Sequence, residues 1–396
     1  MNFRRLINSL LDTTPYVLAL LAALGVASIL LIALNAPPLQ AVGAIAQGAF
    51  GTENATAETL VKATPILFVA IGISVAFRGG VTNIGGEGQM IAGALAGVTV
   101  ALAIPQAPGF VIIILSLLVG FAAGAFYGGI AGALKAYFNV NEILSTIMLN
   151  QVAAQIMNFL LNGVLLDPSE LGSNAIPKTA RIVEAAELPR LSIPLPPGLS
   201  DLFGTAELFG RTRLHWGLVI AIVLAIITYI LLWRTIIGYR IRAVGQNERA
   251  SRYAGINIQR NILLSMLLSG GMAGLAGVVQ VLGLQYRLQT DGSATGFTGN
   301  AGFNGIVAAL FGGLNPIGAI PASVFFGGLL VGAQKMQREL GIPASMVTAI
   351  NGVIVVFVVS AQYFVHRRSR RRSVGGAPPE REPTAPIVPA PLETPS

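Results

Sequence analysis

RTIIGYRIRAVGQNERASRYAGINIQR, residues 234–260, holds six arginines and a single acid between two long apolar runs. Lysine and arginine collect in short loops on the cytoplasmic side of a membrane, so this composition marks a cytoplasmic loop between two crossing helices. Within it Asn247 suits a helix N-cap, because its side chain can accept from the free amides of a first turn. The turn then runs over 248–254 and stops at Gly255, the residue type that enters the left-handed region most readily. The expectation is a short helix outside the bilayer, with Gly245 and Ala250 in its frame and Glu248, Arg249, Arg252 and Tyr253 open to another protein. The simpler alternative is a loop that only fixes topology.

The flanking runs belong to a chain of 396 residues, 54% hydrophobic and 11% charged, with 47 glycines and a mean hydropathy of +0.71. So little charge cannot cover a soluble globule of this size, and the chain reads as an integral membrane protein set in a lipid bilayer. A net charge of +8 would point to nucleic acid in a soluble protein; here the arginines flank apolar segments, so membrane orientation accounts for them and no nucleic-acid partner is expected. There is no cysteine, and His215 and His366 are the only imidazoles, so neither a disulfide nor a metal site is expected.

Crossing the hydrocarbon core as a helix takes about 17–25 apolar residues. Residues 16–36, 110–127, 143–166, 216–233, 262–284 and 346–365 meet that length, and Trp216 and Trp233 mark the two interfaces of one span. Weaker, glycine-broken candidates are 64–77, 90–104, 306–314 and 317–331. The fold class is therefore all-α, a bundle of about ten transmembrane helices with broken or re-entrant segments. Arg4 and Arg5 precede the first span and Arg367, Arg368, Arg370, Arg371 and Arg372 follow the last, which places both termini in the cytoplasm. The first run lacks a small-residue cleavage site and reads as a retained helix.

On that count residues 1–15 are a cytoplasmic N-terminus, 16–366 the transmembrane domain, 234–260 an inside loop and 167–213 an outside one. The outside loop mixes six acids, five bases and six prolines and reads as an ordered cap without a core of its own. The tail 367–396, basic and then Pro-rich, reads as disordered. Gly120, Gly124, Gly128 and Gly132 recur every four residues, as do Gly93/Gly97 and Gly270/Gly274, which lines helix faces with small residues for close packing.

Polar residues interrupt this background in two places. Residues 78–89 hold five glycines together with Asn83, Glu87 and Gln89, and an ionisable group at membrane depth must face protein or water. Such an unwound stretch is a candidate solute path; Glu87 pairing with Arg78 or with another helix to hold the bundle is the structural alternative. FTGNAGFNGIVA at 297–308 echoes FRGGVTNIGGEGQ at 77–89, which adds Phe297 and Asn304 to the path. In NVNEILSTIMLNQ, residues 139–151, the side chains of Asn141, Ser145, Thr146 and Asn150 share one helical face that can bond a solute or a neighbouring helix, with Glu142 beside it. Asn141 also suits the N-cap of a helix beginning at Glu142. No phosphate-binding GxxxxGK[ST], GxSxG elbow or HExxH is present, so no catalytic residue is assigned.

GGVTNIGGEGQMIAGALAG (79–97), NVNEILSTIMLN (139–150), GYRIRAVGQNERASRYAGI (238–256), LSGGMAGLAGVVQVLG (268–283) and GFNGIVAALFGGLNPIGAIPA (302–322) together resemble the permease subunits of bacterial ABC importers for nucleosides and simple sugars, in the branched-chain amino-acid and ribose permease group. The likeness is to the larger permease of the nucleoside type and extends over about residues 60–365. It implies a type II importer-like permease of the bacterial plasma membrane that pairs with a second, related or identical permease above two cytoplasmic ATPase subunits. It also implies an extracytoplasmic substrate-binding lipoprotein, ATP consumed by the partners with no cofactor bound by this chain, and a coupling helix within 238–256. Two other classes remain at this stage. An ion-coupled secondary transporter would use Glu87 or Glu142, and a membrane-embedded enzyme would need a clustered catalytic set that the chain lacks.

Overall fold

In the computed structural model, described over residues 37–170, 176–194 and 207–342 with scattered positions at 22–32 and 349–356, helices follow one another with few strands. They are α1 (Pro38–Phe50), α2 (Glu53–Arg78), α3 (Gly86–Ala103), α4 (Gly109–Phe138), α5 (Glu142–Leu161), α6 (Gly217–Arg234), α7 (Ile236–Gln246), α8 (Glu248–Tyr253), α9 (Ile258–Gln280), α10 (Ala294–Thr298), α11 (Ala301–Phe311) and α12 (Ala319–Leu340). Among the described residues seven of them, α2, α3, α4, α5, α6, α9 and α12, are long and apolar enough to cross a bilayer, α9 with a π turn at Val281–Gln285 that prolongs it. With the short apolar α11 this is compatible with about ten crossings. The expected spans 16–36 and 346–365, the N-terminus 1–15 and the tail 367–396 fall outside the continuously described residues.

Three expectations about spans need correction. The weak candidate 64–77 lies inside the 26-residue α2, which carries Pro65 without a break. That helix is buried nearly all round, so its sequence shows no apolar stripe to betray its length. The candidate 306–314 is the second half of α11 and the turn after it, where Gly313 and Leu314 both have positive φ. The candidate 317–331 extends to Leu340, because Lys335 and Arg338 at the far end leave their charges in solvent-accessible positions, Lys335 bonding Gln47 of α1 at 3.2 Å.

The bundle centres on α9, which packs against α4, α3 and α2. Contact there runs backbone to backbone. A Cβ on Gly124 would strike the Gly270 carbonyl and sit 2.6 Å from the Gly274 Cα, and one on Gly128 would sit 3.0 Å from the Gly270 Cα. Gly93 meets Gly274 from the α3 side just as closely. The four-residue glycine period thus brings three helices into one seam, where dispersion and main-chain contact replace the hydrophobic drive that lipid does not supply. Gly274→Val is expected to force α4 away and cost about 1–3 kcal/mol or more by overpacking, read as a fall in the melting temperature of the detergent-purified protein. An unchanged melt would mean that the seam can open at no cost.

The described parts of 167–213 are strapped to the end of α9 by main-chain bonds, Thr179 N–H to Leu288 O at 2.9 Å, Ile182 N–H to Tyr286 O at 3.0 Å and Leu188 N–H to Leu282 O at 2.8 Å. Arg213 pairs with Glu58 of α2 at 2.8 Å, and the strands β1 (Ile193–Pro194) and β2 (Glu207–Leu208) form a short antiparallel ladder. His215 is buried with its Nδ1 accepting from Gly217 N–H at 3.1 Å, and burial holds the imidazole down at about 4, so it caps α6 in the neutral form.

Candidate functional site

Residues 79–85 are not helical, and each polar atom freed by that break has to find a partner. Gly80, at φ +77°, takes the chain out of α2 in a conformation other residues adopt at a strain. Asn83 then bonds back to its own segment through Gly85 N–H (2.9 Å) and locks reciprocally with Gln89, Nδ2 to Oε1 at 2.9 Å and Nε2 to Oδ1 at 3.0 Å. It also donates to Ser269 of α9 at 2.9 Å. From α5, Asn150 accepts from Gly88 N–H at 2.8 Å and donates to Ile84 O at 3.0 Å, while Thr146 accepts from Ile84 N–H at 3.4 Å. Asn83, Glu87, Gln89 and Asn150 are between 0% and 4% exposed, so in this conformation they clamp the unwound segment.

Of the remaining residues of the 139–151 cluster, Ser145 bonds back to Glu142 O at 3.2 Å and the other two serve the start of α5. Asn141 caps α5 by accepting from Ile143 N–H (2.9 Å) and Leu144 N–H (3.3 Å), and Glu142 pairs with Lys135 of α4 at 3.0 Å.

The two echoing segments meet. Glu87, in the first turn of α3, accepts from Phe303 N–H of α11 through Oε1 at 3.2 Å, and a Cβ on Gly302 would lie 2.8 Å from that oxygen. Its Oε2 is buried with no hydrogen-bond partner among the described residues. Two helix N-termini, at Gly86 and Ala301, therefore converge on one acidic side chain, where their partial positive ends favour negative charge. Phe297 is buried nearby with its carbonyl accepting from Gln280 at 3.0 Å, and Asn304 is half-buried in the first turn of α11.

Arg78 is not the partner of Glu87, which corrects one half of the structural alternative; the other half, a bond to another helix, is the Phe303 contact. Its Nε and Nη2 donate to the carbonyls of Leu314 (3.1 Å) and Gly313 (3.0 Å) just past the C-terminal end of α11. The guanidinium also lies 5.4 Å from the Trp233 ring, which Arg242 of α7 approaches at 5.7 Å. Carbonyl oxygens left over at a helix end carry no signal in sequence, which is why Arg78 was assigned the nearest acid instead.

In the cytoplasmic-type loop, Asn247 caps α8 by accepting from Ala250 N–H at 3.0 Å, and Gly255 follows at φ +76°. Glu248, Arg249, Ala250, Arg252 and Tyr253 are exposed, Tyr253 at 94%, with Ser251 turned inward. Arg252 reaches Glu248 at 3.5 Å, an exposed pair of small energetic weight. Two residues before Asn247, near the end of α7, Gly245 presses main chain to main chain on the end of α2: a Cβ there would strike the Arg78 carbonyl and come within 2.7 Å of Gly80 N. Through α7 the surface helix is thus in backbone contact with the start of the unwound segment.

Residues 55–359 match the family model described as branched-chain amino acid transport system/permease component. The chain is 36% identical over 318 residues to the guanosine ABC transporter permease of Bacillus subtilis, covering 80% of this chain and 84% of that one. It is 33% identical over 355 residues to the glucose ABC transporter permease of Haloferax volcanii, covering 90% and 89%. A nucleoside ABC transporter permease of Lactococcus lactis is 31% identical over 334 residues, 84% and 86% of the two chains. The family match runs through the seven spans, both echoing segments and the exposed loop, so the chain belongs to the branched-chain amino acid transport permease family and is a multi-pass permease subunit of an ABC transporter.

Proposed function

We propose that this permease admits a nucleoside, or a simple sugar with similar hydroxyls, through the bacterial plasma membrane by alternating access, driven by separate ATPase subunits that dock on residues 234–260. Relatives named for guanosine, nucleosides and glucose support the solute class, since a nucleoside carries a sugar ring of its own. The observation that carries the mechanism is the contact of Gly245 with Arg78 and Gly80. A push on α8 passes along α7 to residues 79–85, and from there to the Asn83–Gln89 lock and the Glu87–Phe303 bond. Both termini lie in the cytoplasm, 167–213 faces outward to receive solute from a binding lipoprotein, and a second permease, related or identical, completes the pathway. The partners consume the ATP, and no cofactor is held by this chain. Nothing favours the ion-coupled reading, and Glu142, one of its two candidates, is tied to Lys135.

Exchanging the charges, Glu248→Lys with Arg249→Glu, is expected to lower both ATPase co-purification and nucleoside uptake by about tenfold, the equivalent of roughly 1.4 kcal/mol at an interface. Uptake at the wild-type rate with the ATPase normally attached would remove the coupling role.

A further inference from the structure

The face of α5 turned away from the bundle is built unlike the lipid-type faces of its neighbours. Exposed side chains on α6 are Val223, Ile226, Ile227 and Ile230, and on α4 they include Phe110, Ile114, Leu118 and Phe126. On α5 the exposed run Leu144, Met148, Val152 and Phe159 is interrupted by the exposed amides of Gln151 and Gln155. At about 1.5 Å per residue these sit about 14 and 20 Å along a helix of about 30 Å, well inside both of its ends. Neither amide has a hydrogen-bond partner among the described residues. An amide held there against acyl chains would forfeit its hydrogen bonds at a cost of several kcal/mol, so lipid is the wrong neighbour.

Gln151, Gln155 and Phe159 follow one another at four-residue spacing, and with Val152 and Ile156 they line a shallow, open depression whose walls are mostly apolar. A side-chain amide offers a donor and an acceptor side by side, the pattern that matches the edge of a nucleobase, and an exposed phenyl ring gives a base a stacking surface. We propose that Gln151, Gln155 and Phe159 form a base-recognising strip on α5 that faces the translocation path, with the second permease as the opposite wall, and that choice among nucleosides is made there. This rests on the nucleoside reading above and names the residues that would discriminate within it.

The test is uptake by the assembled complex in proteoliposomes, with labelled guanosine as the probe and adenosine, inosine, cytidine and ribose as competitors. Gln151→Leu and Gln155→Leu are each expected to raise the guanosine KM about tenfold and to flatten the ranking of purine against pyrimidine nucleosides. ATPase co-purification, melting temperature and competition by ribose should stay as in the wild type, and Gln155→Asn should recover part of the ranking. Leucine variants with unchanged KM and ranking would overturn the proposal, because a lipid-facing position accepts leucine freely. Loss of the permease pair with an unaltered ranking in the fraction that still assembles would also overturn it, since the strip would then be packing alone. A wild-type complex that takes up ribose but no nucleoside would instead bring down the nucleoside reading, and this inference with it.

Discussion

Gly245→Ala should leave the ATPase attached and stop the solute from moving. The added Cβ would strike the Arg78 carbonyl and approach Gly80 N to 2.7 Å, and both are main-chain atoms that cannot rotate aside as a flexible side chain would. Relief requires α7 to lift off the end of α2, at a cost of about 1–3 kcal/mol for overpacking. The cap of α8 at Asn247 and its exposed side chains lie beyond the clash, so the docking surface persists. The measurement is paired: ATP hydrolysis and uptake by the same reconstituted complex, with uptake expected to fall at least tenfold while hydrolysis continues. Gly255→Ala separates the two effects, because it strains a φ of +76° within the docking element itself and should weaken attachment first. Wild-type transport by Gly245→Ala would show that no motion passes through this contact.

The second large effect belongs to Glu87. Glu87→Ala removes the acceptor of Phe303 N–H and opens a space between two backbone segments that are 216 residues apart in sequence. A loss of about 2–4 kcal/mol is expected from the orphaned donor and the cavity together, visible as a lower melting temperature. Glu87→Gln keeps the shape and the acceptor and puts a side chain that cannot carry negative charge between the N-termini at Gly86 and Ala301. It should retain most of the stability, within about 1 kcal/mol, yet lose transport if that charge holds the two half-helices together during cycling. An alanine variant that melts and transports as the wild type does would mean that the acidic side chain is a bystander.

The short helix in 234–260 was legible because capping is local. Asn247 and Gly255 lie within nine residues of each other, and each acts on its own turn. The break after Arg78 was legible for a similar reason, since glycines and amides in an apolar run announce that the helix stops. What the break touches was not. The resemblance between 77–89 and 297–308 could be read along the chain, but that the two segments meet at Glu87 and Phe303 depends on how α3 and α11 pack. The full length of α2 was hidden because a helix covered on every side has no polar face to set its period. On α5 the polar positions as far as Gln151 were recognised but not their directions, and Gln155 was not singled out. Thr146 and Asn150 turn inward to hold residues 79–85, and Gln151 and Gln155 turn out, a distinction of about 100° per residue that only the neighbouring α3 decides.

The glycine seam has a consequence for the choreography of the machine. Helices that touch main chain to main chain at Gly93, Gly124, Gly270 and Gly274 cannot slide by swapping rotamers, so α3, α4 and α9 travel as one slab. Bending is left to the non-helical stretches at its border, residues 79–85 and the turn at 312–318. Arg78 spans those two joints, rooted beside one and gripping the carbonyls of Gly313 and Leu314 in the other. Tied in this way, the joints share a single degree of freedom, and neither can flex while the other stays still.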